Sequence, residues 1–381
     1  MIKHYKGILG EFDYDDEEFE IIELDEKDTS YIHYIGKGLS VDLPEGCINT
    51  SKMFTKCKLP EGFTLGNKFD TSNVMDMKHM FHDTILPEGF TLGDKFDTSN
   101  VMNMRNMFYG CKFSDEFSLE DKFDTSNVKD MACMFSHAKL PKKFSLGNHF
   151  DTSNVADMSW MFTNCILPEG FTLGDNFDTS NVKHMNGMFA NCVLPEGFTL
   201  GYKFDTSKVE DMSFMFSNCV LPEGFTLGDK FDTSNVRYMS SMFAKCLFPE
   251  RFTLEDKFDT YNVINMDTMF YKCNFLEKYF LEDHFNTSNV KDMEAMFSGC
   301  TFPKGFTLGN KFDTGNVENM DMMFCNCKFH KQFNFGSKFK IDKVKMNKHI
   351  DSIFDCCKLM PYNMSIDHYL YNTLIKGEVV I

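Results

Sequence analysis

A polar tetrad of Asp, Thr, Ser and Asn is the most regular set of side chains in this sequence that could do chemistry. It stands at Asp70, Thr71, Ser72 and Asn73 and returns along the chain as far as Asp313, Thr314, Gly315 and Asn316. A row of carboxylates could bind cations, and a ribbon of hydroxyls and amides could bind a glycan. The same short side chains also hydrogen-bond to nearby backbone groups. We therefore expect mainly a structural ladder, with glycan and cation binding as open alternatives.

Cysteine is the second recurring group. Ten of the fourteen cysteines share one repeat position, at Cys57, Cys111, Cys165, Cys192, Cys219, Cys246, Cys273, Cys300, Cys327 and Cys357. Thr84 and Ala138 replace the cysteine in two further copies. A position that accepts Cys, Thr or Ala is most simply a small buried site. We expect core thiols, with a disulfide or metal ladder as the alternative; no CxxC or Cys/His zinc spacing supports the latter.

Catalysis finds little support in the sequence. The histidines are scattered over different repeat positions, as at His79, His82 and His137. No nucleophile elbow, phosphate-binding loop or metal-ligand pair is present. A motif that recurs in every copy serves more readily as a structural turn than as an active site. We expect a protein that is not an enzyme, with no catalytic residues, no metal site and no cofactor.

Three columns of variable residues are the candidates for binding a partner, because packing does not dictate their identity. The first variable column is Met75, Met102, Lys129, Ala156, Lys183, Glu210, Arg237, Ile264, Lys291 and Glu318. The second is Lys78, Arg105, Ala132, Ser159, Asn186, Ser213, Ser240, Asp267, Glu294 and Asp321. The third is His79, Asn106, Cys133, Trp160, Gly187, Phe214, Ser241, Thr268, Ala295 and Met322.

Six members of these columns are the candidate partner-binding residues: Trp160, Phe214, Lys78, Arg105, Lys183 and Arg237. If neighbouring copies stack at about 4.8 Å, two repeats place Trp160 and Phe214 roughly 10 Å apart. Such a pair, if exposed, would form an aromatic anchor for a protein or a glycan. The alternative interpretation is that these columns vary only because they are solvated.

A repeat of 27 residues positions all of these side chains. Its phenylalanine recurs without insertion at Phe69, Phe96, Phe123, Phe150, Phe177, Phe204, Phe231, Phe258, Phe285, Phe312 and Phe339. In residues 177–203 the apolar positions are Phe177, Val182, Met185, Met188, Phe189, Cys192, Leu194, Phe198 and Leu200. The spacing of Met185, Met188 and Phe189 predicts one inward-facing helical turn. The alternation over residues 198–200 predicts a short strand.

The repeat also sets the domain organisation. Residues 1–41 alternate apolar and acidic residues, which predicts two or three short strands in an acidic N-terminal cap, or else a small independent module. Residues 42–357 are the tandem array, with a partial first copy and a degenerate last one. Residues 358–381 are the predicted C-terminal cap. A short regular period predicts a repeat solenoid, because such arrays grow in one dimension.

The strings FDTSNVKHMNGMFANC, FDTSNVKDMACMF and FDTSNVENMDMMFCNC resemble the repeat of the BspA-like leucine-rich-repeat proteins, found on bacterial surfaces and in some viruses of protists. The likeness extends over residues 53 to about 357. It implies a leucine-rich-repeat-like β-solenoid, with short strands and a one-turn helix in each copy, and a binding or adhesive role without known enzymatic activity. Family members on bacterial surfaces usually carry a signal peptide and an anchor, which we do not find here, and the LPEGFTLG segment makes this repeat longer.

Composition narrows the classes of partner. The formal charge is −17, and residues 11–28 alone hold eleven carboxylates and one lysine, which leaves about −7 for the remainder. Without a basic stripe we expect no nucleic-acid binding. The sequence shows no signal peptide and no apolar run long enough to span a membrane, so we expect no membrane insertion and a cytoplasmic, virion-packaged or non-classically released protein.

The function expected from the sequence is therefore that of an interaction or adhesion scaffold. Its partner would be a protein or a glycan bound along the variable columns. The alternative is a structural component of a virion or cell envelope that acts by self-association.

Overall fold

The computed structural model describes residues 1–23, 30–119, 123–250, 252–254, 257–275, 281, 285–330, 333–341 and 352–357. Contacts between Cα atoms divide the chain into two compact units, Met1–Val182 and Lys183–Ile381. Within the described residues there are six short strands and no α-helix. The predicted C-terminal cap, residues 358–381, lies outside the described residues.

The N-terminal segment folds into two antiparallel hairpins. Strand β1 (Ile2–Gly7) pairs with β2 (Gly10–Asp15), and β3 (Phe19–Ile22) pairs with β4 (Tyr31–Tyr34). A fifth strand, β5 (Ser40–Val41), runs parallel to β6 (Thr64–Leu65) in the first copy of the repeat. The sequence predicts only two or three strands in residues 1–41, whereas the structure has five, because a turn at residues 16–18 divides the first alternating stretch and residues 35–39 divide the second.

Strand β4 lies directly on the first copy of the repeat. The N–H of Tyr34 donates to the carbonyl of Met53 over 2.9 Å. The Tyr34 ring packs 5.5 Å from Phe54 and 5.6 Å from Phe63, measured between ring centroids. Because Phe54 and Phe63 are fully buried, the hairpin covers apolar surface that the first copy would otherwise expose.

The apolar positions of the repeat form the core, as predicted. All nine in residues 177–203 are at most 3% exposed. Equivalent phenylalanines stack from copy to copy, and the centroids of Phe69, Phe96 and Phe123 follow one another at 6.5 Å. This stacking buries each ring against its counterparts in the neighbouring copies.

The predicted helical turn over Met185, Met188 and Phe189 is wrong. In residues 185–192, every second backbone N–H hydrogen-bonds to a carbonyl of the same copy. The N–H of Met188, for example, donates to the carbonyl of Met185 over 3.1 Å. The N–H groups between them donate to the next copy, as from Phe189 to the carbonyl of Met215 over 3.0 Å. A helix would direct every N–H within its own segment. The competing bonds to the next copy convert the segment into consecutive turns that still bury the same face.

The predicted strand at residues 198–200 is also absent, although its burial pattern is correct. Phe198 and Leu200 are buried and Thr199 is exposed. The N–H of Phe198 donates to the carbonyl of Pro195 over 3.1 Å, so the segment begins as a turn rather than as part of a ladder.

Candidate functional site

The polar tetrad joins neighbouring copies by hydrogen bonds that run in both directions. In the copy that begins at Asp124, the carboxylate of this residue accepts the N–H of Ser126 at 2.8 Å. The hydroxyl of Thr125 donates to the carbonyl of Asp151 over 2.7 Å, and the amide of Asn154 donates back to the carbonyl of Ser126 over 2.7 Å. The side chains therefore satisfy backbone groups of adjacent copies, as the structural interpretation expects.

The repeated cysteine occupies a small buried site, as predicted. The thiol of Cys165 donates to the carbonyl of Phe135 over 3.0 Å. In another copy Thr84 makes the same type of bond to the carbonyl of Phe54 over 2.6 Å. Burial raises the pKa of Cys273 to about 12. Such a thiol stays protonated at neutral pH and acts as a weak hydrogen-bond donor rather than as a nucleophile.

The third variable column has a backbone conformation that the sequence analysis missed. Its non-glycine residues have φ between 48° and 61°, including Trp160 at 59° and Phe214 at 61°. This left-handed region is unfavourable for side chains other than glycine, asparagine and aspartate. The glycine at position 187 in the same column, Gly187 with φ 64°, was the sequence signal for this left-handed conformation.

A second left-handed position follows four residues later in each copy. It is occupied by Asp83, Gly110, His137, Asn164, Asn191, Asn218, Lys245, Lys272, Gly299 and Asn326. The frequent Asn and Gly at this position are the residues that tolerate positive φ. The column was therefore detectable from sequence.

The three variable columns differ in exposure. The first is exposed in every copy except at Ile264, so Lys183 and Arg237 are exposed as expected. The second is half-buried or buried in every copy except at Glu294, so solvation alone does not account for its variation. In the third column Phe214 is 39% exposed, whereas Trp160 is half-buried. Trp160 belongs to the first unit and Phe214 to the second.

The basic members of the second variable column are half-buried and lie close to carboxylates. Nη1 of Arg105 lies 3.5 Å from Oδ2 of Asp130 and 3.4 Å from Oδ2 of Asp157. The backbone N–H of Lys78 donates to Oδ1 of Asp76 over 2.8 Å. Burial raises the pKa of Asp76, while the nearby Lys78 opposes this shift. The charge of Arg105 is thus partly neutralised within the chain.

Imidazole and phenol rings form a ribbon in the first unit that spans neighbouring copies. The ring centroids of His79 and His82 are 5.1 Å apart, those of His82 and Tyr109 are 4.7 Å apart with nearly parallel planes, and those of Tyr109 and His137 are 5.1 Å apart. Nδ2 of Asn164 lies 3.1 Å from Nε2 of His137. These histidines looked scattered in sequence because they occupy three different repeat positions that adjoin in space.

Two histidines of this ribbon are electrically neutral at neutral pH. Burial lowers the pKa of His79 to about 4, and His82 and Lys78 contribute in the same direction. Burial also lowers the pKa of His82, although Asp83 opposes the shift. His79 and His82 therefore offer hydrogen-bonding ring edges rather than positive charge.

Two further features bear on the class of site. Across the described ranges, no group of three or more His, Cys, Asp or Glu side chains is arranged to hold a metal ion. No helix in that part of the chain is long and apolar enough to cross a membrane.

The stacked, bridged copies define a tandem-repeat protein. The chain matches the family described as Mycoplasma protein of unknown function, DUF285, in six overlapping segments, residues 48–166, 88–196, 140–250, 169–278, 198–305 and 251–366. These segments together span most of the chain, which therefore belongs to this family. Neither a curated protein nor a solved structure gives a significant match.

Proposed function

We propose that the array is a leucine-rich-repeat-like solenoid of the BspA type that acts as a non-enzymatic interaction scaffold. Its partner is a protein, or a glycan, that contacts the variable columns. The columns carry side chains that the core does not specify, while the phenylalanines, methionines and tetrads beneath them repeat almost unchanged.

The observation that carries this proposal is the set of bulky residues at left-handed positions. Phe214 and Met322 have φ of 61° and 54° and are 39% and 45% exposed. A bulky side chain at positive φ costs free energy relative to glycine or asparagine. The solvent-exposed part of an aromatic side chain at such a position is not required for packing, which favours a role in recognition.

Affinity capture from the source cells or particles, followed by mass spectrometry, tests the proposal. The bait is the full chain, compared with Trp160→Asn and Phe214→Asn. Asparagine stands at the same position in Asn106, so these variants keep the backbone conformation. We expect a discrete partner that binds the unmodified chain and is lost from at least one variant.

Arg105→Ala and Lys183→Ala extend the test to the basic candidates. We expect Lys183→Ala to weaken capture more than Arg105→Ala, because Lys183 is exposed and Arg105 lies near Asp130 and Asp157. A partner captured equally by all variants would refute the assignment of the variable columns.

A second candidate function, structural self-assembly, is favoured by an exposed aliphatic strip in the second unit. Val193, Val220 and Leu247 are 48%, 40% and 58% exposed and are joined by parallel bridges from copy to copy. Exposed apolar patches often mark association surfaces. Sedimentation equilibrium of the purified chain tests this candidate. A defined oligomer that Val220→Lys abolishes would favour self-assembly, and a monomer at all concentrations would reject it.

A further inference from the structure

Two cysteines outside the repeated cysteine position adjoin near the end of the array. All fourteen cysteines lie in the described residues, and Cys356 is the one that is exposed. Cys325 is half-buried. In earlier copies the position of Cys325 holds serine, as at Ser217 and Ser298. The repeat therefore folds without a thiol at this position, and packing does not account for Cys325.

Backbone hydrogen bonds place these two cysteines in adjacent copies. The N–H of Phe324 donates to the carbonyl of Ile353 over 2.8 Å, and the ring of Phe324 stacks on that of Phe354 with centroids 5.4 Å apart. An N–H thus donates to the residue just before its lateral neighbour. Two residues later, the N–H of Asn326 donates over 2.7 Å to the carbonyl of the residue that precedes Cys356. The same relation makes Cys356 the lateral neighbour of Asn326.

This register brings the Cα atoms of Cys325 and Cys356 within the range of a disulfide. Consecutive Cα atoms are about 3.8 Å apart, and lateral neighbours are about 4.8 Å apart. Two such steps at nearly right angles separate Cys325 from Cys356 by about 6 Å. Native disulfides join Cα atoms that are about 4.4–6.8 Å apart. The backbone spacing therefore permits the bond.

The left-handed backbone at Cys356 directs its side chain towards Cys325. Asn326 and Cys356 are lateral neighbours with the same conformation, φ 57° and φ 56°. At Asn326 this conformation turns the side chain back along the chain, so that Nδ2 lies 3.3 Å from Sγ of Cys325. Cys356 repeats the conformation one copy further on, so its thiol is directed to the same side.

The two thiols differ in how readily an oxidant reaches them. Burial raises the pKa of Cys325, and Asp355 and Cys356 act in the same direction. Cys325 thus stays protonated and partly shielded, whereas Cys356 is exposed. Oxidation of cysteine follows exposure and thiolate character, so Cys356 is the thiol that reacts first.

We propose that Cys325 and Cys356 form a reversible disulfide that fastens residues 352–357 to the copy that begins at Phe312. A peroxide oxidises the thiolate of Cys356 to a sulfenic acid and releases hydroxide. Sγ of Cys325 then attacks Sγ of the sulfenic acid, the S–S bond forms, and the hydroxyl group leaves as water with the proton of the Cys325 thiol. This modification site lies outside the variable columns and is independent of the proposed scaffold function.

The neighbouring buried cysteines are poorer partners for Cys356. The thiols of Cys327 and Cys357 donate to the carbonyls of Phe297 and Phe324, each over 3.0 Å. Burial raises the pKa of Cys357 to about 12. Both thiols belong to the core, on the side away from solvent, whereas Cys356 is exposed.

The disulfide would restrict local opening of this end of the array. Equivalent residues are 30 apart here, as Cys327 and Cys357 show, rather than 27 as between earlier copies. A longer connection leaves an opened segment more freedom, and a disulfide across it removes that freedom. Local opening of residues 352–357 should therefore become rarer on oxidation and more frequent on reduction.

Peroxide treatment of the full chain, followed by proteolysis without reductant and tandem mass spectrometry, tests the proposal. We expect a cross-linked pair of peptides whose fragments place the bond between Cys325 and Cys356. The pair should lack two hydrogen atoms and should separate on addition of dithiothreitol. Amide exchange in residues 352–357 should be at least about tenfold slower in the oxidised chain than in the reduced chain.

Three serine variants make the test specific. Cys325→Ser keeps a residue that is natural at this position, as at Ser298, and should accumulate a sulfenic acid at Cys356 that dimedone traps. Cys356→Ser should form no bond, and peroxide should leave its amide exchange unchanged. Cys133→Ser removes another half-buried thiol, from a column in which Ser241 is natural, and should behave as the unmodified chain does.

Four outcomes would overturn the proposal. They are the absence of the bond in the unmodified chain, a bond to Cys356 that persists in Cys325→Ser, a dimer linked through Cys356, and equal amide exchange of residues 352–357 in the oxidised and reduced chains. The second outcome would assign the bond to a core thiol, and the third would assign Cys356 to a contact between chains.

Discussion

At the scale of single residues, the left-handed positions are the least conventional feature of the repeat. Every described copy places a residue with φ near +60° in the third variable column, whatever its side chain. The conformation is held by hydrogen bonds between copies, such as that from the N–H of Phe214 to the carbonyl of Ser240 over 2.8 Å. The backbone is therefore set by stacking, and the side chain must adapt to it.

Substitutions at Phe214 should reveal this constraint. We expect Phe214→Val to be less stable than Phe214→Asn by about 1–2 kcal/mol, because a β-branched side chain clashes at positive φ and asparagine does not. Urea unfolding followed by circular dichroism measures the difference. Lys183 does not have positive φ. The free energies of unfolding of Lys183→Val and Lys183→Asn should therefore differ by less than about 0.5 kcal/mol. Equal stability of the two Phe214 variants would contradict the steric argument.

The pKa of His79 makes stability depend on pH. Its value falls from 6.5 to about 4 on folding, so the unfolded chain binds the proton more readily. The stabilising contribution of His79 is present above about pH 6.5 and is lost as pH falls from 6.5 towards 4.

Thermal unfolding between pH 7 and pH 4 measures this effect. We expect the melting temperature of the His79→Asn variant to fall less over this range than that of the unmodified chain. Asparagine is the natural residue at the same position in Asn106. Identical pH profiles would show that His79 does not titrate with a lowered pKa.

At the scale of elements, the copies are joined chiefly by side-chain and backbone hydrogen bonds at their turns. The threonine of the tetrad is fully buried in nearly every described copy, and its hydroxyl bridges to the next copy. Buried donors and acceptors must be paired, since an unpaired one keeps its desolvation cost. This requirement explains how a polar threonine can be fully buried at this position.

Replacing Thr125 by valine removes the hydroxyl at nearly constant volume. We expect Thr125→Val to destabilise the chain by about 1–3 kcal/mol, because the carbonyl of Asp151 loses its partner. Thr125→Ser keeps the hydroxyl and should cost less. Denaturant unfolding of the two variants provides the comparison. A valine variant as stable as the serine variant would mean that water replaces the lost bond.

At the scale of the whole molecule, each copy depends on those beside it. The ring of Phe243 lies 5.8 Å from both Phe216 and Phe270, in the preceding and following copies. In a repeat array stability is the sum of each copy's own contribution and nearest-neighbour terms. A cavity in one copy therefore weakens three.

Hydrogen exchange should detect this coupling in the second unit. We expect Phe243→Ala to destabilise the array by about 3–5 kcal/mol. Amide exchange should accelerate most in the described residues of the three copies that begin at Phe204, Phe231 and Phe258. It should accelerate least in the copy that begins at Phe312. The matched exposed change Glu250→Ala in the same copy should leave exchange unaltered beyond that copy. Uniform acceleration over the unit would indicate all-or-none unfolding instead.

The sequence by itself determined the repeat, its core and its turns. A strict 27-residue period with fixed apolar positions leaves one buried face, and the predicted core residues are buried. The tetrad was correctly read as turn-forming, and the cysteine position as small and buried. These inferences succeed because they depend on side-chain polarity and volume, which the sequence states directly.

Only the tertiary structure decided the local conformation and the surface. The segment over residues 185–192 has helical spacing, yet it forms consecutive turns because half of its N–H groups bond to the next copy. The same stacking places His79, His82 and Tyr109 in one ribbon although they occupy different repeat positions. Contacts between copies are not encoded in the order of residues within one copy, so the candidate surface could be defined only after the copies were stacked.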